Sequence, residues 1–76
     1  LELQIEETLI GPGSPLAGAS LANSRLRQDM GLIIVAIKKR GGLMIYTPPA
    51  EVVLEAGDTL IALGRRNHLD TLEKMC

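Results

Sequence analysis

The stretch Gly31–Pro49, GLIIVAIKKRGGLMIYTPP, constrains the fold of this chain more than any other. It predicts two strands, Leu32–Lys38 and Leu43–Thr47, joined by a turn at Arg40–Gly42. Five of the six residues Leu32–Ile37 are β-branched or Leu, with no charge before Lys38, which is the pattern of a strand buried on both faces. Gly41 and Gly42 supply the positive φ that a tight hairpin needs. Pro48 and Pro49 lack backbone donors, so strand pairing is expected to stop there. A buried hairpin with a proline exit is a scaffold, and names no chemistry.

The chain has 76 residues, near the lower limit at which one core stabilises itself. It contains no Trp or Phe and a single Tyr, so the core must be built from Leu, Ile, Val, Ala and Met. A mean hydropathy of +0.20 is more apolar surface than one copy of so short a chain hides, which favours a homodimer. The net charge of −1 argues against a general nucleic-acid binder, and no nucleic-acid partner is expected. No apolar run is long enough to span a bilayer and no signal-peptide pattern opens the chain, so direct membrane insertion by this domain is not expected. Cys76 stands alone and points to a reducing compartment. The chain begins at Leu1 and enters a strand almost at once, as expected of a domain excised from a longer protein.

In chain order, Leu1–Ile10 alternates, with Leu1, Leu3 and Ile5 on the expected buried face and Glu2, Gln4 and Glu6 on a wet acidic one. Gly11–Gly18 is a loop whose Leu16 is expected to plug into the core. Ser20 is placed to cap a helix over Leu21–Met30, ended by Gly31 in a left-handed conformation. Ala50–Leu54 is a short extended or turn segment, and Glu55–Asp58 is a turn. Thr59–Leu63 reads as another buried strand, broken by Gly64. Arg65–Met75 reads as a helix with Leu69, Leu72 and Met75 inward and Asn67 as candidate cap. The order β-α-β-β-β-α predicts an α+β domain, a sheet packed against two helices.

Candidate chemistry is sparse. The glycine-rich Gly11–Gly18 has neither dinucleotide spacing nor the Lys-Ser/Thr of a nucleotide loop, and its two prolines remove donors. His68 has no Cys or His partner at metal spacing, and Ser14, Ser20 and Ser24 are accounted for as turn, cap and helix-surface residues. Glu6, Glu7, Glu51, Glu55 and Asp58 lack calcium-loop spacing and read as turn and surface residues. No catalytic residue and no metal site is assigned. The one charge bias is Arg25, Arg27, Lys38, Lys39 and Arg40. Of these, Arg27 sits at the helix–strand junction, where a guanidinium can fork onto a phosphate or carboxylate.

Together these residues resemble the RCK C-terminal, or TrkA-C, domain. The marks are GSPLAG before the helix, LR-x-x-x-G leading into IIVAIKK, the proline pair after the hairpin, and LEAGDTLIALG. The resemblance runs from about Leu3 to Met75. It implies a dimeric regulatory module on the cytoplasmic side of a potassium channel, uptake system or other transporter, working with the membrane portion of its parent protein. Some members bind cyclic di-AMP in a groove at the dimer interface. Arg27 matches the family arginine that meets a phosphate, and Pro49 a proline lining the groove. Ile33 and Pro48 are the further apolar walls assigned to this candidate site. The asparagine typical of cyclic di-AMP binders is replaced in the region Leu32–Ile34, and their histidine near the hairpin by Arg40–Leu43. The resemblance therefore carries the anion contact without the base contacts. Cyclic di-AMP is disfavoured, and another small nucleotide or anion, or a purely structural dimerisation module without ligand, stays open.

Overall fold

The structure, a computed structural model, describes residues 2–76, so the expectation for Leu1 lies outside the described residues. The elements are β1 (Leu3–Leu9), α1 (Leu21–Ser24), α2 (Leu26–Met30), β2 (Ile33–Lys38), β3 (Met44–Tyr46), β4 (Thr59–Arg65) and α3 (Arg66–Met75). The strands form one antiparallel sheet in the order β1-β4-β2-β3, the expected α+β arrangement. The core gathers between the sheet and the helices, around Leu26, Leu32, Ile37, Leu60, Leu69 and Leu72. Leu16 is buried among them, as its position in the loop predicts.

The faces of β1 are the reverse of the expectation. Leu3 and Ile5 are 47% and 61% exposed, whereas Thr8 on the alternate face is buried. That alternate face lies towards α3. Arg66, at the helix start, pairs with Glu6 at 2.9 Å and donates to the side chain of Gln4 at 2.9 Å. Period-2 alternation separates two faces but does not say which one a chain covers itself.

β2 is likewise not buried on both faces, since Ile33 is 53% exposed. A bulge at Val35 sets its geometry: Ile34 pairs with Ala62, and the next paired residue, Ala36, meets Ile61. The extra residue turns Ile33 and Ala36 to one face and Ile34 and Ile37 to the other. The hairpin turns where expected, with Lys39 N–H donating to the Leu43 carbonyl, but of its two glycines only Gly42, at φ +100°, takes the positive φ expected of both.

Three further boundaries differ. The helix over Leu21–Met30 is split at Arg25, whose φ is 56°. The Ser24 hydroxyl donates to the Leu21 carbonyl and accepts from Leu26 N–H, local bonds that compete with a continuous helix. Ser20 does cap α1, accepting from Asn23 N–H, and Gly31 ends α2 at φ 63°. β4 runs through Gly64 rather than breaking there: Gly64 pairs with Gln4, and the Leu32 side chain fills the space where a Cβ would stand. Arg65, not Asn67, occupies the cap position of α3, without a side-chain cap bond.

Asp58 and Lys39 also depart from a turn and solvated-loop reading. Asp58 is only 1% exposed and accepts from Arg40 N–H at 3.0 Å, Glu55 N–H at 2.9 Å and the Lys39 ammonium. Lys39 is also 3.0 Å from Glu55 and donates to the Val53 carbonyl. This cluster clamps the hairpin tip to the turn that launches β4. Burial acts to lower the Lys39 pKa, but hydrogen bonds and charge from Asp58 and Glu55 outweigh it and leave it raised.

Asp58→Ala removes a buried acceptor shared by three donors and is expected to cost about 3 kcal/mol. Glu55→Ala, at the exposed end of the cluster, is expected to cost under about 1 kcal/mol. Urea midpoints at unchanged slope measure both. Because the folded-state pKa of Lys39 is raised, its contribution is complete below the unfolded-state value and fades as pH climbs through the folded one. Stability is therefore expected to fall in the alkaline range above about pH 10, and less so in Lys39→Met.

Candidate functional site

The junction between the helical segments and β2 borders a groove of about 490 Å³. α1 and α2 contribute Leu21, Leu26, Arg27 and Gln28, β2 and its approach contribute Leu32 and Ile33, and Pro48 and Ala50 close the far side. Arg27, Ile33 and Pro48 of the sequence-derived site thus share one concavity. Pro49 does not line it. It is exposed, its carbonyl accepts from Val52 N–H to turn the chain, and the neighbouring Ala50 faces the groove instead.

Local backbone geometry shapes this groove. The left-handed Arg25 breaks the helix, so Leu26 enters the core while Arg27 remains exposed at the groove. On the opposite rim Thr47, just before Pro48, has φ 43°. A β-branched residue pays for that conformation, and a following proline restricts it further. Its N–H donates to the Val35 carbonyl at 2.8 Å, which anchors the rim to the β2 bulge.

The electrostatics single out one group. Arg25 pairs with Asp29 at 3.2 Å, whereas Arg27 has no ion-pair partner among the described residues. Among the described residues no carboxylate lines the groove. A guanidinium and the Gln28 carboxamide therefore stand beside aliphatic walls, an arrangement suited to an anion that carries a body able to lie against them. Among the described residues the lining offers no Ser, Cys, His, Asp or Glu to act as nucleophile or base.

The other charges singled out in the sequence go elsewhere. Lys39 and Arg40 border a separate concavity with Glu55 and Asp58, where Lys39 is already paired. The loop Gly11–Gly18 spends its amides internally: Gly11 N–H donates to the Cys76 carbonyl, Ser14 N–H to Gly11, Ala17 N–H to Ser14 and Gly18 N–H to Leu54. Its Ser14 hydroxyl donates to the Met75 carbonyl at 2.6 Å, tying the loop to the end of α3. His68 is half-buried on α3 and does not line the groove. Among the described residues, no group of three His, Cys, Asp or Glu side chains converges as a metal site.

Sequence reasoning missed Leu21, Gln28 and Ala50 as lining residues. Leu21 read as core-facing and Gln28 as water-facing. The break at Arg25 has no strong signal beyond the serine preceding it.

Comparison with known proteins places this geometry in context. The model of the TrkA-C domain family matches residues 5–76. The chain is 35% identical over 63 residues to the ammonium/H(+) antiporter subunit AmhM of Alkalihalophilus pseudofirmus, covering 83% of this chain and 37% of that protein. It is 38% identical over 76 residues to the Ktr system potassium uptake protein C of Bacillus subtilis, covering 97% of this chain and 34% of that protein. It thus spans little more than a third of either relative's length. Among solved structures, the RCK C domain of the potassium transport protein KtrA, in complex with cyclic diadenosine monophosphate, superposes with a TM-score of 0.80. That match is 37% identical and covers 96% of this chain and 82% of that one.

Relief of the strained rim is directly measurable. Thr47→Gly is expected to stabilise the fold by about 1 kcal/mol, read as a higher urea midpoint at unchanged slope.

Proposed function

This chain belongs to the TrkA-C domain family, and on that premise we propose that it is a ligand-responsive regulatory domain of a potassium channel or transport system. It acts as a homodimer on the cytoplasmic side of the membrane, coupled to the membrane portion of its parent protein. The observation that carries the ligand reading is the exposed Arg27, without an ion-pair partner among the described residues, beside an aliphatic groove whose described lining holds no carboxylate. In two copies, an anion bound there favours whichever dimer geometry fits it better, and the attached pore responds to that shift. The free energy available for gating equals the difference in the ligand's affinity for the two geometries.

The solved KtrA domain carries cyclic di-AMP, which makes a cyclic dinucleotide the first probe. Ile33 and its aliphatic neighbours offer no polar group to read a base edge, so smaller nucleotides and phosphate belong in the same panel. The likeness to an ammonium/H(+) antiporter subunit supports a second reading, in which the same domain regulates a transporter for an ion other than potassium. None of this asks for chemistry: the groove binds and does not react.

A thermal-shift series with cyclic di-AMP, AMP, NADH and phosphate tests the proposal. A ligand at about 100 times its dissociation constant stabilises by about 2.7 kcal/mol, enough to raise the Tm of so small a domain by about 10 °C or more. Arg27→Ala removes a charge-assisted contact and is expected to weaken that ligand about 10- to 100-fold. No shift with any probe, in a protein that still dimerises, sinks the ligand and leaves an assembly module.

A further inference from the structure

The two edges of the sheet end differently. β3, at one edge, is three residues long and is followed by Thr47, Pro48 and Pro49, where the prolines remove the next donors. β1, at the other edge, runs for seven residues, contains no Pro, Gly or Lys, and pairs with β4 in unbroken register. Edge strands are ordinarily kept short, kinked or lysine-bearing, because their outer backbone groups can template a further strand. β1 has none of these protections.

The ladder fixes which backbone groups point outward. Ile10 N–H donates to the Asp58 carbonyl, and the Ile10 carbonyl accepts from Gly57 N–H, so Ile10 turns both groups towards the β4 side. Antiparallel pairing alternates, so Thr8, Glu6 and Gln4 bond to β4 as well. The N–H and C=O groups of Leu9, Glu7, Ile5 and Leu3 then point away from the sheet. Among the described residues no loop backbone group pairs with any of these four. Their side chains are exposed, on the face of the sheet that the helices leave open.

Charge narrows the occupant. Glu6, Glu7, Thr8, Leu9 and Glu73 line a concavity of about 330 Å³ beside this strand. Glu6 is held by Arg66, whereas Glu7 and Glu73 have no ion-pair partner among the described residues. A second β1 laid antiparallel and centred on Glu6 sets glutamates close to glutamates, and like charges across a strand pair are destabilising. A strand carrying Lys or Arg meets the same carboxylates with opposite charge.

We propose that the outer edge of β1 accepts, as a fifth strand, an extended segment of a partner polypeptide that carries lysine or arginine among β-branched residues. Its main chain completes the hydrogen bonds of Leu3, Ile5, Glu7 and Leu9. Its aliphatic side chains lie beside Leu3, Ile5 and Leu9, and its cations meet Glu7 and Glu73. No residue of β1 lines the groove, and β1 and β3 are opposite edges of the sheet. The inference therefore stands apart from the ligand reading and from the homodimer.

Amide hydrogen exchange read residue by residue by NMR tests this on the full chain. The probe is a peptide as long as β1 that alternates lysine and valine and is blocked at both ends. In the free protein Gln4, Glu6 and Thr8 are expected to exchange slowly, and Ile5, Glu7 and Leu9 fast. The peptide is expected to slow Ile5, Glu7 and Leu9 at least about 10-fold. A counterpart methylated on every backbone amide keeps the charge but cannot donate, and is expected to bind at least about 10-fold more weakly. Glu7→Gln combined with Glu73→Gln is expected to weaken the unmethylated peptide about 5-fold. Equal binding of the two peptides means attraction by charge alone and overturns strand addition, as does no slowed amide at about 1 mM peptide. Undiminished affinity in the double variant overturns the basic character of the partner. Slow exchange of Ile5, Glu7 and Leu9 in the free protein, lost on dilution, gives the edge to a second copy and overturns the proposal.

Discussion

The carboxylate of Asp58 ties together segments that the sequence keeps apart. Its side chain accepts from the backbone of Arg40 and Glu55 and from the Lys39 ammonium, while its own carbonyl accepts from Ile10 N–H at the end of β1. The hairpin tip, the turn before β4 and the exit from β1 therefore meet at one buried residue. β4 follows directly and lies between β1 and β2, so its register with both neighbours starts from that clamp. A buried carboxylate is costly to desolvate, and several donors converging on it are what make the position tolerable. In a domain whose aliphatic side chains bury modest areas each, this polar joint gives direction to an otherwise non-directional core.

The physics that made parts of the fold legible also explains the misreadings. Ser20, Gly31 and the Gly41–Gly42 turn announce themselves because capping and positive φ are local demands, met by few residue types. Leu3 and Ile5 mislead because hydrophobicity reports that a surface avoids water, not whose atoms cover it. Gly64 has the look of a break in the sequence but is an accommodation: its missing side chain makes room for Leu32, a contact nearly half the chain away in sequence. The split at Arg25 and the bulge at Val35 depend on tertiary fit, so no run of residues displays them clearly.

The same division holds at the groove. Arg27, Ile33 and Pro48 could be nominated from their positions at the helix–strand junction and the hairpin exit, and the fold brings the three together. Pro49 could not be told from Pro48 by sequence, since adjacent residues in an extended exit point in different directions and only the turn at Val52 decides between them. Leu21 lines the groove from the first turn of the helical segment, and Ala50 from the point where the chain turns after the prolines. Arg25 and Thr47, on either rim, hold positive φ. Strain of this kind persists only where the surrounding packing over-determines it.

Ile33 occupies the seam between the groove and the open sheet face. One side chain therefore borders both the concavity and the uncovered sheet, so a change in its size or polarity alters both surfaces at once. Gln28 and Ala50 border the groove without belonging to the sheet. A change at either reshapes the concavity and leaves the sheet face as it is.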